Sequence, residues 1–376
     1  MAQSGWQPSS VVSPHGGGAV VSADSSAPAV RPAPAGSGRT TGGQWVPRGR
    51  LRIGLLVCCL ALVAVVVSSL LIGSARLPPS EVFRLLGHPD GSYGSEIIND
   101  LRLPRTLLGL TVGAALGVAG ALMQAVTRNP LADPGILGVN AGASLAVVIA
   151  VAVTGFVGIW FYLWFAFVGA AAASVLVYLL GATGSTVATP VRLALAGVAV
   201  SATIASLVQT VILLDQRAFD EFRFWAAGTI DGRGWTVFGA TTPFLVLGCV
   251  LALGLGRSLN ALALGDDVAH SLGMSVRRIR LLTLVVITIL AGAATAAAGP
   301  IAFVGLAVPH LVRTFTGPDQ VWLLRLSLVV APTLLLAADV LGRMLVRDEL
   351  QVGLVTALVG GPVFVLLVRR NRLVNL

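Results

Sequence analysis

Long apolar runs alternate with short polar segments along most of this chain. Most runs hold about 20 residues, which is the length an α-helix needs to cross the hydrocarbon core of a bilayer. The predicted spans are residues 53–72, 104–126, 136–155, 159–180, 191–214, 236–256, 281–298, 300–311, 321–342 and 352–368. The pattern therefore predicts an all-α polytopic membrane protein with about ten transmembrane helices.

Composition supports the same class. The mean hydropathy is +0.89 and 11% of the residues are charged, whereas a soluble domain carries about 25% charged residues. A net charge of +9 could indicate nucleic-acid binding, but the arginines are spread between apolar runs instead of sharing one soluble basic face. Nucleic acid is therefore not an expected partner, and membrane lipid is.

The polar segments differ in character. Residues 1–47 are rich in Pro, Gly, Ser and Ala, so they are predicted to form a disordered tail ahead of a membrane domain over 48–376. Residues 77–83 predict a short surface helix that follows two prolines. Residues 215–235 mix charges with tryptophans, which predicts an amphipathic helix lying on the membrane surface.

The polar segment over 257–280 is longer than a simple turn requires. Its apolar residues fit two short helices, with breaks at Gly265 and Gly273. We therefore predict a structured loop here that could contact a partner, although a solvated charged surface is the alternative.

Charge distribution predicts the orientation. With both termini in the cytoplasm, the segments on the cytoplasmic side carry 16 of the 25 arginines and five of the 16 acidic residues. Basic residues concentrate on the cytoplasmic side of membrane proteins, so the pattern favours this orientation.

Two breaks divide the predicted helices. Pro130 and Pro134 interrupt the first half, and Pro300 and Pro309 interrupt the second. Paired broken helices in two halves of opposite orientation are typical of a transport pathway at their interface. The polar residues around the first break are expected to satisfy freed backbone groups, with a gate role as the alternative; they are Gln124, Asn129 and Asn140.

Signals for other chemistry are weak. The three cysteines lie in apolar runs without metal-binding spacing, and no GxxxxGK[ST] motif is present. No paired carboxylates or histidine cluster converge within the membrane segments. We therefore expect no catalytic site, no metal site and no ATP hydrolysis by this chain.

Several motifs together resemble one family. The chain is similar to the FecCD family of ABC importer permeases over about 51–372, and the tail 1–47 has no counterpart in that resemblance. The matching segments are Arg102-Leu-Pro-Arg105, Gly113-Ala-Ala, Arg128-Asn-Pro-Leu-Ala-Asp-Pro-Gly-Ile-Leu-Gly138, Gly142-Ala, the loop from Leu259 to Gly273, and Gly299-Pro-Ile-Ala-Phe-Val-Gly-Leu-Ala-Val-Pro-His310. Their common order makes the resemblance far more specific than one motif.

The resemblance implies a fold and a set of partners. The fold is the type II ABC importer permease, with two inverted four-helix halves in a transmembrane permease domain. Two permease chains, identical or related, form a dimer in the bacterial inner membrane. A substrate-binding protein docks outside, and two ATPase subunits dock inside and use ATP, so this chain itself needs no cofactor.

The family also implies the cargo class. Its members import ferric siderophores, haem or vitamin B12, and a ferric siderophore is the expected cargo here, with haem or cobalamin as the alternative. An ion-coupled secondary transporter is a different class that would also have inverted halves. The structured loop and the arginines at the opposite end favour the ATP-driven importer.

Site residues follow from the matched motifs. Arg102, Arg105 and Arg343 are expected to pair with carboxylates of the binding protein, since arginine suits such pairing. The alternative for Arg343 is an ion pair with Asp339, four residues earlier on the same helix.

Two further sets complete the expected sites. The residues that couple to the ATPase, with an apolar face packed for rigid-body motion, are Leu262, Leu264, Gly265, Asp266, Asp267, Ala269, His270, Leu272 and Gly273. The residues of the translocation path or gate are Gln124, Asn129, Asn140, Ser206, Gln209, Thr356 and Gly360. Hydroxyls on a helix can instead bond to their own backbone, which is the alternative for the serine and the threonine.

Overall fold

The structure is a computed structural model that describes residues 48–156, 158–182, 190–346 and 349–370. Within these ranges all regular structure is helical. The predicted disordered tail over 1–47 lies outside the described residues.

Ten long helices follow the predicted spans in order. They are α1 (Arg48–Leu71), α4 (Leu103–Thr127), α5 (Val139–Thr154), α6 (Ile159–Ala182), α7 (Pro190–Leu214), α9 (Gly234–Ala263), α11 (Val276–Ala298), α12 (Val304–Thr316), α13 (Gln320–Leu345) and α14 (Val352–Arg370). Four short helices connect them, namely α2 (Pro79–Gly87), α3 (Tyr93–Glu96), α8 (Gln216–Ala226) and α10 (Asp266–Ser271). A π-helical turn over Ile97–Arg102 leads into α4, and a 3-10 turn over Pro134–Leu137 precedes α5.

Seven helices in the described part of the chain are long and apolar enough to cross a membrane. Helix α5 and the first part of α14 are apolar but shorter. Helix α12 has 13 residues, and the Gly/Pro pattern predicted that it would be short. The prediction of an all-helical membrane protein is confirmed.

Helix α4 is the centre of the bundle. It packs against α9, α11, α12 and α13, and most of its residues are buried, whereas α1 is largely exposed. The small residues of α4 explain its central position, because a helix face of glycine and alanine lets neighbouring backbones approach closely. An added Cβ at Gly113 would lie 2.6 Å from the Pro332 Cα atom, and one at Gly120 would overlap the Gly305 carbonyl.

The two predicted breaks lie against each other in the bundle. The first spans 128–138 and the second spans 299–303. A Cβ built on Gly305, at the start of α12, would lie 3.2 Å from Pro134 Cδ and 3.3 Å from an Asp133 carboxylate oxygen. The breaks therefore bring irregular backbone from both halves of the chain together at Pro134 and Gly305, which are both buried.

The loop over 257–280 differs from its prediction. Helix α9 continues without interruption to Ala263. Among the described residues of this loop, α10 is the only separate short helix. Helix α9 extends this far because the first residue with a non-helical backbone is Gly265, whose φ is +120°. The prediction of two short helices was therefore wrong, although the breaks at Gly265 and Gly273 are both present.

The two predicted surface helices are present. Helix α2 begins after Pro78, and α8 occupies the first half of the segment over 215–235. The Asp215 carboxylate caps α8 by accepting the Ala218 N–H at 2.7 Å. Ala218 and Trp225 are buried while Arg217 and Asp220 are exposed, which is the amphipathic arrangement that the sequence indicated.

Replacing Gly120 by Ala should destabilise the bundle, because the added Cβ would overlap the backbone carbonyl of Gly305 and would force the two helices apart. Overpacking of a core typically costs about 1–3 kcal/mol. We expect a lower midpoint of thermal unfolding for the purified protein in detergent, measured by tryptophan fluorescence.

Gly254→Ala in α9 is the matched control. Nothing lies within 4 Å of a Cβ at this position, so helix propensity alone should act and should raise stability by up to about 1 kcal/mol. Equal midpoints for the two variants would contradict the close approach at Gly120.

Candidate functional site

Arg105 lies at the end of the bundle where α4 begins, which we call the Arg105 end. Its Nη2 donates to Asp339 Oδ1 at 2.7 Å. Its Nη1 donates to Asp231 Oδ1 at 2.5 Å and to Glu349 Oε2 at 2.6 Å. One guanidinium therefore joins α4 to α13 and to two surface loops.

The second partner of Asp339 is Arg343. Arg343 donates through Nη2 and Nε to Asp339, four residues before it, and through Nη1 to the carbonyls of Ser69 and Ile72 at 2.9 Å each. The alternative that Arg343 pairs with Asp339 is thus what the structure shows. Asp339 is 1% exposed, and a carboxylate at this depth needs such compensation because burying an unpaired charge is costly.

Arg102 holds the end of α1. Its guanidinium donates to the carbonyls of Leu70 at 2.9 Å and Leu71 at 3.2 Å, and also to that of Ala75. The last carbonyls of a helix have no partner within it, so Arg102 satisfies these groups. Gly73 lies beside it, and an added Cβ there would lie 2.6 Å from the Arg102 Nη2 and displace the guanidinium.

Arg102 and Arg105 are therefore buried, the Arg343 side chain is 2% exposed, and each of the three already has partners in its own chain. The carboxylates on Arg105 differ in exposure, because Asp231 is 56% exposed while Asp339 is enclosed. A cavity of about 320 Å³ opens beside Arg105, between the loops that carry Asp231 and Glu349. Docking of a partner at these arginines stays a prediction.

Sequence reasoning missed Asp231 and Glu349 as partners of Arg105. They lie 126 and 244 residues away along the chain, so no local spacing indicates the contact. The available signal was the excess of acidic residues in the segments on this side of the membrane.

The opposite end, where α4 finishes, carries α10 and is called the Asp266 end. Of the four leucines and alanines predicted to form one packed face, Leu262 and Ala269 are buried, whereas Leu264 is 70% exposed and Leu272 is 62% exposed. These four residues therefore do not form one buried face within this chain, and their packing against an ATPase stays a prediction. The result is an exposed apolar surface.

The remaining predicted coupling residues surround this surface. Asp267 and His270 are exposed on α10. Gly265 and Gly273 flank the helix with positive φ. Asp266 is half-buried, and its carboxylate accepts hydrogen bonds from Arg128 and Arg280.

The polar residues near the first break satisfy neighbouring groups. Gln124 Nε2 donates to the Leu306 carbonyl of α12 at 3.2 Å, and the Leu131 N–H donates to Asn129 Oδ1 at 2.9 Å, so both side chains bind backbone groups. The Asn140 Oδ1 instead accepts from the Thr295 hydroxyl at 2.8 Å. For Asn140 the backbone expectation was wrong, since a side chain of α11 occupies that oxygen.

The other predicted path residues lie on two separate helices. Ser206 and Gln209 are exposed on α7, where the Ser206 hydroxyl donates to the Ala202 carbonyl at 3.1 Å. Thr356 on α14 is buried and donates to the Gly353 carbonyl at 3.0 Å. Gly360 faces Phe303, at the second break. The structure does not bring these residues together in one site, and their role in a path stays a prediction.

Comparison with known proteins gives a consistent result. The sequence model of the FecCD transport family matches residues 60–370. The chain is 47% identical to the ferric enterobactin transport system permease protein FepD of Escherichia coli (strain K12) over 313 residues, which cover 83% of this chain and 93% of that protein. It is 44% identical to the Fe(3+)-citrate import system permease protein YfmD of Bacillus subtilis (strain 168) over 305 residues, covering 81% and 90% of the two chains.

More distant relatives extend the comparison. The hemin transport system permease protein HmuU of Yersinia pestis is 37% identical over 331 residues, covering 86% of this chain and 96% of that one. Among solved structures, a metal-chelate type ABC transporter in an inward-facing conformation superposes with a TM-score of 0.74 at 28% identity, covering 85% of this chain and 99% of that one. Both sequence and fold thus point to one group of proteins.

Replacing Asp339 by Asn should destabilise the protein strongly, because it leaves two buried guanidiniums without their shared carboxylate. Removing one partner of a buried ion pair typically costs about 3–5 kcal/mol. We expect a clear fall in the thermal unfolding midpoint in detergent.

Asp231→Asn removes the same charge from the same arginine at an exposed position. Exposed ion pairs contribute about 0–1 kcal/mol, so this variant should unfold close to the wild-type midpoint. If both variants lost the same stability, the buried carboxylate would not be the principal support of the cluster.

Proposed function

The chain belongs to the FecCD transport family, and on that premise we propose that it is the membrane-spanning permease subunit of an ATP-driven importer whose cargo is a ferric siderophore. The observation that carries the proposal is the 47% identity to a ferric enterobactin permease over 93% of that protein. Relatives named for hemin and for cobalamin are 37% and 38% identical. The ferric chelate is therefore the proposed cargo, and haem or cobalamin is the alternative.

An ATPase on separate subunits would dock at the Asp266 end. Leu264, Val268 and Leu272 expose apolar side chains on and beside α10, and exposed apolar patches on soluble faces commonly mark partner contacts. ATP would be used by those subunits, because this chain has no GxxxxGK[ST] loop of its own.

The orientation follows from this docking. We propose that the Asp266 end faces the cytoplasm of a bacterium and that both termini lie on that side of the inner membrane. Arg257, Arg277 and Arg278 lie near this end and are exposed, which is the arrangement that the positive-inside rule favours. The Arg105 end would then face outward.

A second permease chain, identical or related, would complete the path. The exposed side of α7 carries Ser206 and Gln209 instead of purely apolar residues, and polar side chains on a membrane helix favour a water-lined path or a partner over lipid. We propose that this side faces the partner chain across the path, and that Thr356 and Gly360 of α14 belong to a separate part of the path. Gln124, Asn129 and Asn140 would brace the break next to the path.

A substrate-binding protein would dock at the Arg105 end. Among the predicted docking residues, Arg105 is the one whose partners include an exposed carboxylate, that of Asp231, so an incoming carboxylate could replace Asp231 at its Nη1. Arg102 and Arg343 hold carbonyls of α1 and would support the docking surface from beneath. Charge pairs of this kind mainly set orientation and association rate.

Transport can be tested in proteoliposomes that contain this permease, its ATPase and the soluble binding protein. We expect uptake of ⁵⁵Fe-labelled ferric siderophore into the vesicles. This uptake should require ATP on the side of the membrane where the ATPase is bound. Uptake of haem or cobalamin in place of the siderophore would select the alternative cargo. Uptake that persists without ATP and depends on an ion gradient would refute the ATP-driven importer.

Replacing Arg105 by Glu should weaken docking of the binding protein at least about tenfold, a loss of about 1.4 kcal/mol, because a carboxylate would then repel the partner's carboxylates. The affinity is measured by surface plasmon resonance with the permease in nanodiscs. Arg76→Glu reverses a charge at an exposed position of the same end and should change the affinity much less. Equal affinities for wild type and Arg105→Glu would exclude Arg105 from docking.

A further inference from the structure

Arg128 has a specific position that the docking and path assignments do not explain. It directly follows the last residue of α4 and has a left-handed backbone with φ +48°. A non-glycine residue rarely adopts this conformation. Its Nη2 donates to the Leu262 carbonyl at 2.8 Å and to Asp266 Oδ1 at 2.7 Å.

Asp266 has a second cationic partner. Arg280, in the first turns of α11, donates through Nη2 to both carboxylate oxygens of Asp266, at 3.1 and 3.0 Å. One carboxylate at the start of α10 is therefore held by guanidiniums from two membrane helices. We call Arg128, Asp266 and Arg280 the Asp266 bridge.

Without this bridge, α10 would have few fixed points. Glycines with positive φ flank it at positions 265 and 273. Ala269 packs its single methyl group inward, while Asp267, Val268 and His270 are exposed. Helix α10 has only six residues. Its ionic attachment to the neighbouring helices therefore determines whether a force on α10 moves the helix bundle or only the loop.

The bridge leads directly to the central helix and to the first break. Arg128 ends α4 and begins the segment over 128–138, and Gln124, one turn earlier, donates to Leu306 of α12. The same segment lies against Gly305. A displacement of α10 that is transmitted to Arg128 thus reaches both breaks through contiguous contacts.

The bridge contributes little to stability. Asp266 and Arg128 are each about two-fifths exposed, and ion pairs at this level of exposure are weak stabilisers because water and salt screen them. Stability alone therefore does not explain why two arginines bind one carboxylate at the surface. Their charge-assisted, directed hydrogen bonds instead fix the position of α10.

We propose that Asp266 is a positioning residue for energy coupling, which transmits movement of α10 to α4 and α11 through Arg128 and Arg280. The proposal rests on the proposed function, since it takes the ATPase to act on α10. The ATPase would hold the exposed apolar residues of α10, and the Asp266 bridge would carry its motion into the membrane helices as a rigid-body movement.

The test compares Asp266→Asn with wild type in the full complex, reconstituted in proteoliposomes with ATPase and binding protein. The change is isosteric, so the ATPase should still co-purify and the thermal midpoint should stay close to wild type. We expect ATP hydrolysis to continue while substrate uptake falls at least about tenfold, a change of about 1.4 kcal/mol. The number of ATP molecules hydrolysed per substrate should rise accordingly.

Further variants separate positioning from a structural effect. Asp266→Glu keeps the carboxylate and should recover part of the uptake. Arg280→Gln should raise the ATP-to-substrate ratio, and adding it to Asp266→Asn should change little beyond Asp266→Asn alone, because that variant has already removed the ion pair with Arg280. Arg278→Gln lies two residues away on α11, is exposed and makes no ion pair with the described residues, so it should keep the wild-type ratio.

The outcomes are distinct. A wild-type ratio and uptake in Asp266→Asn would overturn the proposal while leaving the importer intact. Loss of ATPase co-purification in Asp266→Asn would also overturn it, because Asp266 would then be a direct contact. Absence of ATP-dependent uptake in the wild-type complex would instead refute the proposed function itself.

Discussion

The close approach of backbones around α4 is the constraint on which the other features depend. Gly109, Gly113 and Gly117 face α13, and Gly120 faces the start of α12. The hydrophobic effect does not drive helices together within lipid, so close packing must stabilise their association. With α4 fixed at the centre, the residues at its two ends acquire defined surroundings on both sides of the membrane.

Both ends of α4 carry an arginine that binds carboxylates from distant parts of the chain. At one end Arg105 contacts Asp339, Asp231 and Glu349, and at the other Arg128 contacts Asp266. The two environments differ, since Asp339 is enclosed by protein whereas Asp266 is partly in water. The first arrangement supports the fold, while the second attaches the surface helix α10 to α4 and α11.

The sequence predicted the helices well because hydropathy and proline positions act locally. All ten long helices lie at predicted spans, and the breaks at Arg128–Gly138 and before Val304 follow prolines and glycines. The partners of Arg105 could not be predicted, because they approach only after helices separated by more than a hundred residues have packed. The length of α9 was missed for a different reason, since a polar surface segment and a helix extending beyond the membrane have similar composition.

The contacts of the α4 glycines also limit how this chain can evolve. At Gly109 the obstacle to a larger residue is the side chain of Leu336, which a second substitution could shorten. At Gly120 the obstacle is the carbonyl of Gly305, a backbone group that every amino acid at position 305 would retain. A change at the first position can therefore be compensated within a lineage by a neighbouring change, whereas at the second position no partner substitution can make room, and the glycine is fixed for as long as the two helices meet there.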